Sequence, residues 1–592
     1  MSFEMIFVLI MIVAMLLGLL MEVGRPEIII FSVLIIFLIT GVLNTKEALS
    51  GFSNEGMLTV ALLFIVAGAI QKSGVIEKVI KNWLDKSKST VGSMVRLFVP
   101  TSIISAFLNN TPIVVALTPL VKTWCEEHNI APSKFLIPLS YATILGGTVT
   151  LMGSATNLVV HGMLLDNGYE GFSLFQLSVV GIPILIIGLI YIFTIGHQLL
   201  PEYKDFKQQV KADSKEYIAE LIVEESFPHM NQSVQQAGLT DLKGLYLVEI
   251  IRREERISPI RATTVIQAGD RLIFTGLMST LEHVQMMKGL TLRTGTHLDL
   301  DELKNGNTQI VEAVVSHQSA LLSKSVKQTQ FRSSYDAGVI AIHRNNERIQ
   351  SKVSDILLKP GDTLLLLAGK HFVEKFQQSS DFYVLTSLDT PEKLKRSPVK
   401  AWFSIILTLT MIMLVSLGVL SMFKAMALAV TLLIVTKTVT PGEAKRYIHF
   451  DVLLLIASSF GVGLAMMNTG LAQWIADGLL VIGNPMGLFM ILLLIYLLTN
   501  IFTELITNSA AAILMLPIGL KTAASLNLDP MGFAVLITIA ASASFVTPIG
   551  YQTNLIVYGP GGYKFTDYIK IGTPLSLIVM AITVTIVYYW WF

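Results

Sequence analysis

The sequence predicts a polytopic α-helical membrane protein built from two inverted repeats with paired re-entrant hairpins, interrupted by a cytosolic tandem of α+β domains. Three observations predict it. The 592 residues are 53% hydrophobic and only 14% charged, where soluble chains carry about 25% charged residues. The charge is also uneven, with residues 201–400 holding 51 of the 85 Lys, Arg, Asp and Glu. Finally, the flanks repeat one another at an offset of about 397, and the middle repeats itself at an offset of 92.

Composition excludes several function classes. A formal net charge of +1 argues against nucleic acid, which calls for a strong basic excess. The single Cys125 rules out an internal disulfide framework and the usual multi-cysteine zinc site. The apolar run Phe7–Leu20 is preceded by Glu4 rather than a basic leader, so it reads as a first spanning helix and not a removed signal peptide.

Apolar stretches long enough to cross a bilayer start near Phe3, Pro26, Gly56, Val95, Phe135 and Leu174, and again near Trp402, Ala425, Val452, Met486, Pro530 and Pro574. The repeat shows in their interruptions. Leu108-Asn109-Asn110-Thr111 is followed by Pro119, and Ile506-Thr507-Asn508-Ser509 by Pro517, at the same spacing. Gly153-Ser154-Ala155-Thr156-Asn157 is matched by Gly550-Tyr551-Gln552-Thr553-Asn554, and Lys72-Ser73-Gly74 by Asn468-Thr469-Gly470. Orientation follows from basic residues. The loop after the third apolar stretch carries Lys72, Lys78, Lys81, Lys86 and Lys88, whereas its counterpart, residues 467–486, has no Lys or Arg. The first loop is expected inside and the second outside, which makes the repeats inverted. Lys393, Lys395, Arg396 and Lys400 place the 201–397 insert in the cytoplasm. Four domains are expected: membrane half one (1–200), insert domains at 205–295 and 300–390, and membrane half two (398–592).

Within the insert, Gly269-Asp270 matches Gly361-Asp362, Arg252 matches Arg344, and Glu255-Arg256-Ile257 matches Glu347-Arg348-Ile349. Each copy reads strand, helix, strands around a Gly-Asp turn. The Arg-rich stretch Arg252 to Arg261 reads as a solvated turn, or else as a phosphate-binding surface. No Gly-x-Gly-x-x-Gly opens a helix after a strand, so the insert lacks the basis of a dinucleotide site.

The candidate site residues cluster in the membrane repeats. Ser105 to Thr111 and Thr503 to Ser509 interrupt apolar sequence with hydroxyls and amides, which favour turns and caps. Matched breaks in two halves point to a substrate site, where a half-helix N-terminus suits an anion and freed carbonyls suit a cation. Ordinary close packing of small polar residues is the competing explanation. The Gly153–Asn157 and Gly550–Asn554 turns are expected to form a second face of the same site, with Ser154, Thr156, Asn157, Tyr551, Thr553 and Asn554 toward substrate. Neither pair of motifs contains Lys or Arg, so an anion would be held by N–H groups, hydroxyls, amides, helix ends and co-bound cations. Glu504 is the one acid in these segments. It could ligate a cation, carry a proton, or anchor the hairpin through backbone hydrogen bonds. No nucleophile, metal cluster or phosphate loop supports an enzyme.

The halves resemble the divalent anion/sodium symporter family in its sulfate-permease-like subgroup, on Asn109-Asn110-Thr111, Thr507-Asn508-Ser509, Thr503-Glu504 and Pro548–Leu555. The resemblance implies a homodimer in the cell (inner) membrane that moves a small divalent oxyanion, sulfate foremost, by elevator-type sodium symport. It implies sodium ligands at Ser105, Asn109, Asn110 and Gly153, and at Thr503, Thr507, Asn508 and Gly550. It implies substrate contacts at Asn110, Thr111, Asn508 and Ser509, with Ser154 and Tyr551. Asn109 departs from the family's Ser, and Thr507-Asn508-Ser509 exchanges its hydroxyl residues. The insert resembles two C-terminal subdomains of RCK (TrkA-type) modules, which implies regulation by a small ligand such as cyclic di-AMP. Alternatives are proton coupling through Glu504, a dicarboxylate or sulfonate substrate, and, in another class, a ligand-gated channel or membrane sensor.

Overall fold

A computed structural model describes residues 2–592 except 22, 85–88, 129, 204–217, 240–244, 254, 258–259, 261–262, 277–288, 293–307, 317–318, 345–346, 349–352, 370, 377–378, 380 and 388–397. Among the described residues the first membrane segment has these main helices: α1 (Phe3–Leu20), α2 (Pro26–Ile39), α3 (Thr45–Leu49), α4 (Glu55–Ser73), α5 (Val75–Leu84), α6 (Thr90–Ser105), α7 (Asn110–Glu127), α8 (Leu136–Gly147), α9 (Ala155–Asp166) and α10 (Ser178–Tyr191), the last prolonged to Leu199. The local sequence sets their ends. The Asn54 side chain caps α4 by accepting from the Met57 N–H, and Gly74 ends it at φ +65°, a conformation glycine adopts without strain.

Two antiparallel sheets follow. The first comprises β1 (Ile218–Val223), β2 (Leu245–Arg252), β3 (Glu255–Ile257), β4 (Arg271–Gly276) and β5 (Leu290–Leu292), in the order β3-β2-β4-β1-β5. The second comprises β6 (Thr308–Val315), α11 (Phe331–Tyr335), β7 (Ala337–Arg344), β8 (Glu347–Arg348), β9 (Thr363–Gly369), α12 (Phe372–Phe376) and β10 (Phe382–Ser387), in the order β10-β6-β9-β7-β8. The second order is the first read from the other edge. Even the irregularity repeats, with a bulge between Leu247 and Glu249 in β2 and another between Val339 and Ala341 in β7. The helix expected between the first strands occurs as α11 in the second copy; the matching segment of the first copy, the expected insert-domain boundaries at 205, 295, 300 and 390, and Lys86, Lys88, Arg261, Ile349, Lys393, Lys395 and Arg396 lie outside the described residues.

The Arg-rich stretch divides. Arg253 is an exposed turn residue at φ +50°, whereas Arg252 turns back into the fold: its Nε and Nη2 donate to the Asp270 carboxylate at 2.8 Å each, and Nη2 also reaches the Val265 carbonyl. Arg344 makes the same bonds to Asp362 and Leu357. Hydrogen bonding to the buried aspartate raises both guanidinium pKa values. A bidentate pair of this kind fixes the Gly-Asp turn against β2 or β7.

The last segment holds α13 (Pro398–Ser416), α14 (Met422–Val435), α15 (Pro441–Tyr447), α16 (Phe450–Asn468), α17 (Leu471–Gly483), α18 (Leu488–Leu505), α19 (Asn508–Leu526), α20 (Pro530–Ser542), α21 (Gln552–Tyr558) and α22 (Phe565–Trp591). These ten helices follow the order of α1–α10. Among the described residues seven helical runs are long and apolar enough to cross a membrane, including Thr45–Ser73, Phe450–Asn468, Asn508–Leu526 and Phe565–Trp591. The lysine-bearing "loop" after the third apolar stretch requires a correction. Lys78 and Lys81 lie on α5, a helix whose Ile80 and Leu84 are buried, because apolar residues at helical spacing give it a face to pack.

Contacts between the segments are reciprocal. Helix α4 packs on α14 while α16 packs on α2, and α7 packs on α21 while α19 packs on α9. The same exchange holds between side chains. Asn44 with Glu47 and Thr440 with Glu443 form equivalent capping boxes. Lys72 then pairs with Glu443 at 2.5 Å, and Asn468 donates to Glu47 at 3.0 Å. Contacts i–j′ and i′–j of this kind are those of a two-fold relation.

Candidate functional site

Helix α6 ends at Ser105, the chain turns through Ala106–Asn109, and α7 begins at Asn110. The Ser105 hydroxyl is fully buried, 2.6 Å from the Asn110 amide and 2.9 Å from the Thr143 carbonyl. With its amide nitrogen toward Ser105, Asn110 also reaches the Gly153 carbonyl at 3.2 Å and the Thr143 carbonyl at 3.1 Å. In the other half, α18 ends at Leu505 and α19 begins at Asn508. The Thr503 hydroxyl lies 2.9 Å from the Asn508 amide oxygen and 2.6 Å from the Ala541 carbonyl. The residue intervals, 5 and 38, are identical in the two clusters.

The second pair of motifs supplies two more turns. The Asn157 amide donates to the Gly147 and Thr150 carbonyls at 3.0 and 2.8 Å, and the Asn554 amide to the Ser544 and Thr547 carbonyls at 3.1 Å each. Both asparagines are fully buried and their nitrogens hold the turns. The Asn554 oxygen and the Thr553 hydroxyl meet Ser140 of α8. Ser154 caps α9 by accepting from the Thr156 N–H. Gly153 and Gly550 leave no room for a side chain: a Cβ on the first would lie 2.5 Å from the Gly147 carbonyl, and one on the second 3.0 Å from the Thr503 carbonyl.

The motifs from the two halves meet. The Tyr551 hydroxyl is 2.7 Å from the Asn110 amide and hydrogen-bonds Ser154, and Thr111 donates to Gln552 at 3.3 Å. Asn109, Asn110, Asn508 and Ser509 are buried, while the Thr507 hydroxyl is buried and lacks a hydrogen-bond partner among the described residues. Glu504 anchors its turn: its carboxylate accepts from the Phe545, Val546 and Thr547 N–H groups at 2.9 Å each. In the first half that position is Ala106, whose carbonyl accepts from Thr150, as the Glu504 carbonyl does from Thr547.

Chemically, this is a set of neutral donors and acceptors. Asn109, Thr507 and Tyr551, the residues just before α7, α19 and α21, make no side-chain cap bond, which leaves N–H groups and positive dipole ends for an anion. The hydroxyls of Ser105, Thr503 and Thr507 and the carbonyls around them are hard oxygen donors suited to an alkali cation. Sequence reasoning missed Gln552, Ser140 and the Thr143 and Ala541 carbonyls. It also passed over Thr150 and Thr547, which lie at the repeat offset and were open to discovery by it.

Comparison with known proteins places the chain in a family. The citrate transporter family, CitMHS, matches residues 5–538. A Chlamydomonas reinhardtii protein named as a sulfur deprivation response regulator is 34% identical over 95% of this chain and 97% of its own length. An uncharacterized transporter of Synechocystis is 33% identical over 93% and 91%. The sodium/sulfate cotransporter 2 of Chlamydomonas reinhardtii is 24% identical over 93% and 86%. Many apolar helices and a match over most of its length make the chain an integral membrane transporter, and it belongs to the citrate transporter family, CitMHS.

Proposed function

We propose that this protein is a sodium-coupled symporter of a small divalent oxyanion, sulfate foremost, working by an elevator-type movement in a homodimer. One observation carries the reading: two equivalent hydroxyl–amide–carbonyl clusters, at Ser105–Asn110 and Thr503–Asn508, each at the start of a helix, joined across the halves by Asn110 and Tyr551. In this reading sodium ions bind at Ser105, Asn109, Asn110 and Gly153, and at Thr503, Thr507, Asn508 and Gly550. Substrate lies between them against Asn110, Thr111, Ser154, Asn508, Ser509 and Tyr551. The sodium ions supply positive charge that no site residue carries, so anion binding depends on the cation, and that dependence is the coupling. The 24%-identical relative named as a sodium/sulfate cotransporter supports both ions. Glu504 braces its turn by accepting backbone N–H groups.

The halves are inverted, a reading supported by the lysine asymmetry between α5 and α17 and by the reciprocal contacts. The two sheets are cytosolic RCK-C-like regulatory domains, read from their duplicated strand order and Gly-Asp turns. The test is uptake of radiolabelled sulfate, and separately of radiolabelled citrate, by proteoliposomes with and without an inward sodium gradient. Sodium-stimulated sulfate uptake is expected. Uptake indifferent to sodium ends the coupling claim, and uptake of citrate but not sulfate ends the substrate claim. The 34%-identical relative named as a regulator favours a second reading, a membrane sensor that binds the anion without moving it. Anion binding with no uptake would establish that reading instead.

A further inference from the structure

The two insert sheets differ at one position with a consequence for the membrane part. In the first sheet, buried Glu220 of β1 pairs with Arg271 of the neighbouring β4. At the same offset of 92, the second sheet has Glu312 in β6 but Thr363 in place of the arginine. Glu312 pairs instead with Lys122 of α7, and both side chains are almost fully buried, 3% and 2% exposed. This contact does not stand alone. Val314 of β6 belongs to the apolar cluster of the membrane helices, Tyr383 of β10 packs against it, and α7 touches β10. No residue of the first sheet among those described belongs to that cluster.

The second sheet also touches the other half. Gly361, at φ +81°, lies against Leu555 of α21, where a Cβ would approach the leucine to 3.1 Å. Gly559, just past α21, sits against Thr363 and the Gly361 carbonyl. Helices α7 and α21 are the two whose first turns meet through Asn110–Tyr551 and Thr111–Gln552. Lys122 is twelve residues beyond Asn110, roughly 18 Å along the helix. One sheet therefore holds the far ends of both helices that join at the site.

We propose that the Lys122–Glu312 ion pair is the contact through which the second sheet sets the spacing of α7 and α21, and with it the affinity of the site. A buried pair is a poor device for stability, since apolar residues of similar size commonly do as well, but it fails sharply when one charge is lost. That makes it a latch. The sheet stays docked while both charges are present, and displacement of the sheet releases both helices together. This inference rests on the transport reading for its effect on affinity, though docking itself does not.

The experiment uses the full-length protein in lipid nanodiscs, read by hydrogen exchange, with sulfate uptake measured in parallel. Glu312→Gln and Lys122→Met are each expected to speed exchange at least several-fold in the last turns of α7 and in residues 559–563, and to raise the apparent KM for sulfate at least five-fold. The double variant Lys122→Met with Glu312→Leu, which leaves no unpaired charge, is expected to return exchange toward the parent. The paired change Glu220→Gln with Arg271→Gln in the first sheet is expected to leave exchange in α7 unchanged. Parent-like exchange in both single variants overturns the proposal, as does an equal effect from the first-sheet variant. If the parent protein transports no sulfate, the transport reading fails while the exchange comparison still decides the latch.

Discussion

The Tyr551 hydroxyl lies 2.7 Å from the Asn110 amide, a hydrogen bond that spans 441 residues and joins the two halves at the point where their helices begin. The equivalent of Tyr551 in the first half is Ser154, too short to make the same reach. The site is thus two-fold in its hydroxyl–amide clusters and one-sided in its bridge. Tyr551→Phe removes the bridge and keeps the ring. A neutral hydrogen bond contributes about 1 kcal/mol, so apparent affinity for the anion is expected to fall roughly five-fold, with Vmax little changed. Uptake kinetics against anion concentration check this, and an unchanged KM would separate the tyrosine from the substrate.

Gly550 is fitted closely against Ser544, Glu504 and the Thr503 carbonyl. Gly550→Ala is expected to displace that carbonyl and lower sodium-dependent uptake more than ten-fold. Gly478→Ala, in a helix where an added Cβ meets nothing within 4 Å, serves as the comparison and is expected to transport as the parent does. Equal activity in the two variants would show that the turn tolerates rearrangement.

Glu504 accepts three backbone N–H groups. Glu504→Gln keeps one acceptor oxygen and turns an NH₂ group toward the remaining donors. A buried donor left unsatisfied costs about 1–3 kcal/mol, so the melting temperature of the purified protein is expected to drop by several degrees. The sodium dependence of residual uptake is expected to persist. A variant of normal stability that has lost pH-dependent uptake would instead identify Glu504 as a proton carrier.

Asp381, in the second sheet, gives a pH dependence. Burial alone would raise its pKa, but hydrogen bonds from Tyr335, the Ala320 N–H, Ser379 and Ser319 outweigh that and hold the carboxyl below its ordinary value. A depressed carboxyl stabilises the folded form above its unfolded pKa and loses that contribution as pH falls through the folded value. Folding of the second sheet is therefore expected to be insensitive to this group at neutral pH and to lose its contribution below about pH 4. Asp381→Asn should remove that acid-dependent step from hydrogen exchange in β6 and β10.

Much of the site was legible because duplication left pairs of matching residues. Asn110 with Asn508, and Asn157 with Asn554, could be found by offset alone, and the structure gives each pair bonds in common: a hydroxyl five residues earlier for the first pair and two turn carbonyls for the second. The carbonyls of Thr143 and Ala541 left no trace, because any residue supplies a carbonyl and only the fold brings it near. Arg252 and Asp270 were both visible as repeated residues, yet their pairing was not, since a hairpin of 18 residues brings them together. Lys122 was open to notice as a charge in an apolar helix, a residue type that is costly there and usually functional. Its partner is 190 residues away in the insert, beyond the reach of any local pattern.

The reciprocal contacts Lys72–Glu443 and Asn468–Glu47 have a consequence for how such a chain can vary. In a true homodimer a single substitution alters both copies of a symmetric contact at once. Here the two copies are encoded separately, so one has become an ion pair and the other a hydrogen bond from an amide to a carboxylate. Salt screens the first and hardly touches the second. The molecule can therefore be loosened at one end by ionic strength while the other end holds, an asymmetry unavailable to two identical subunits.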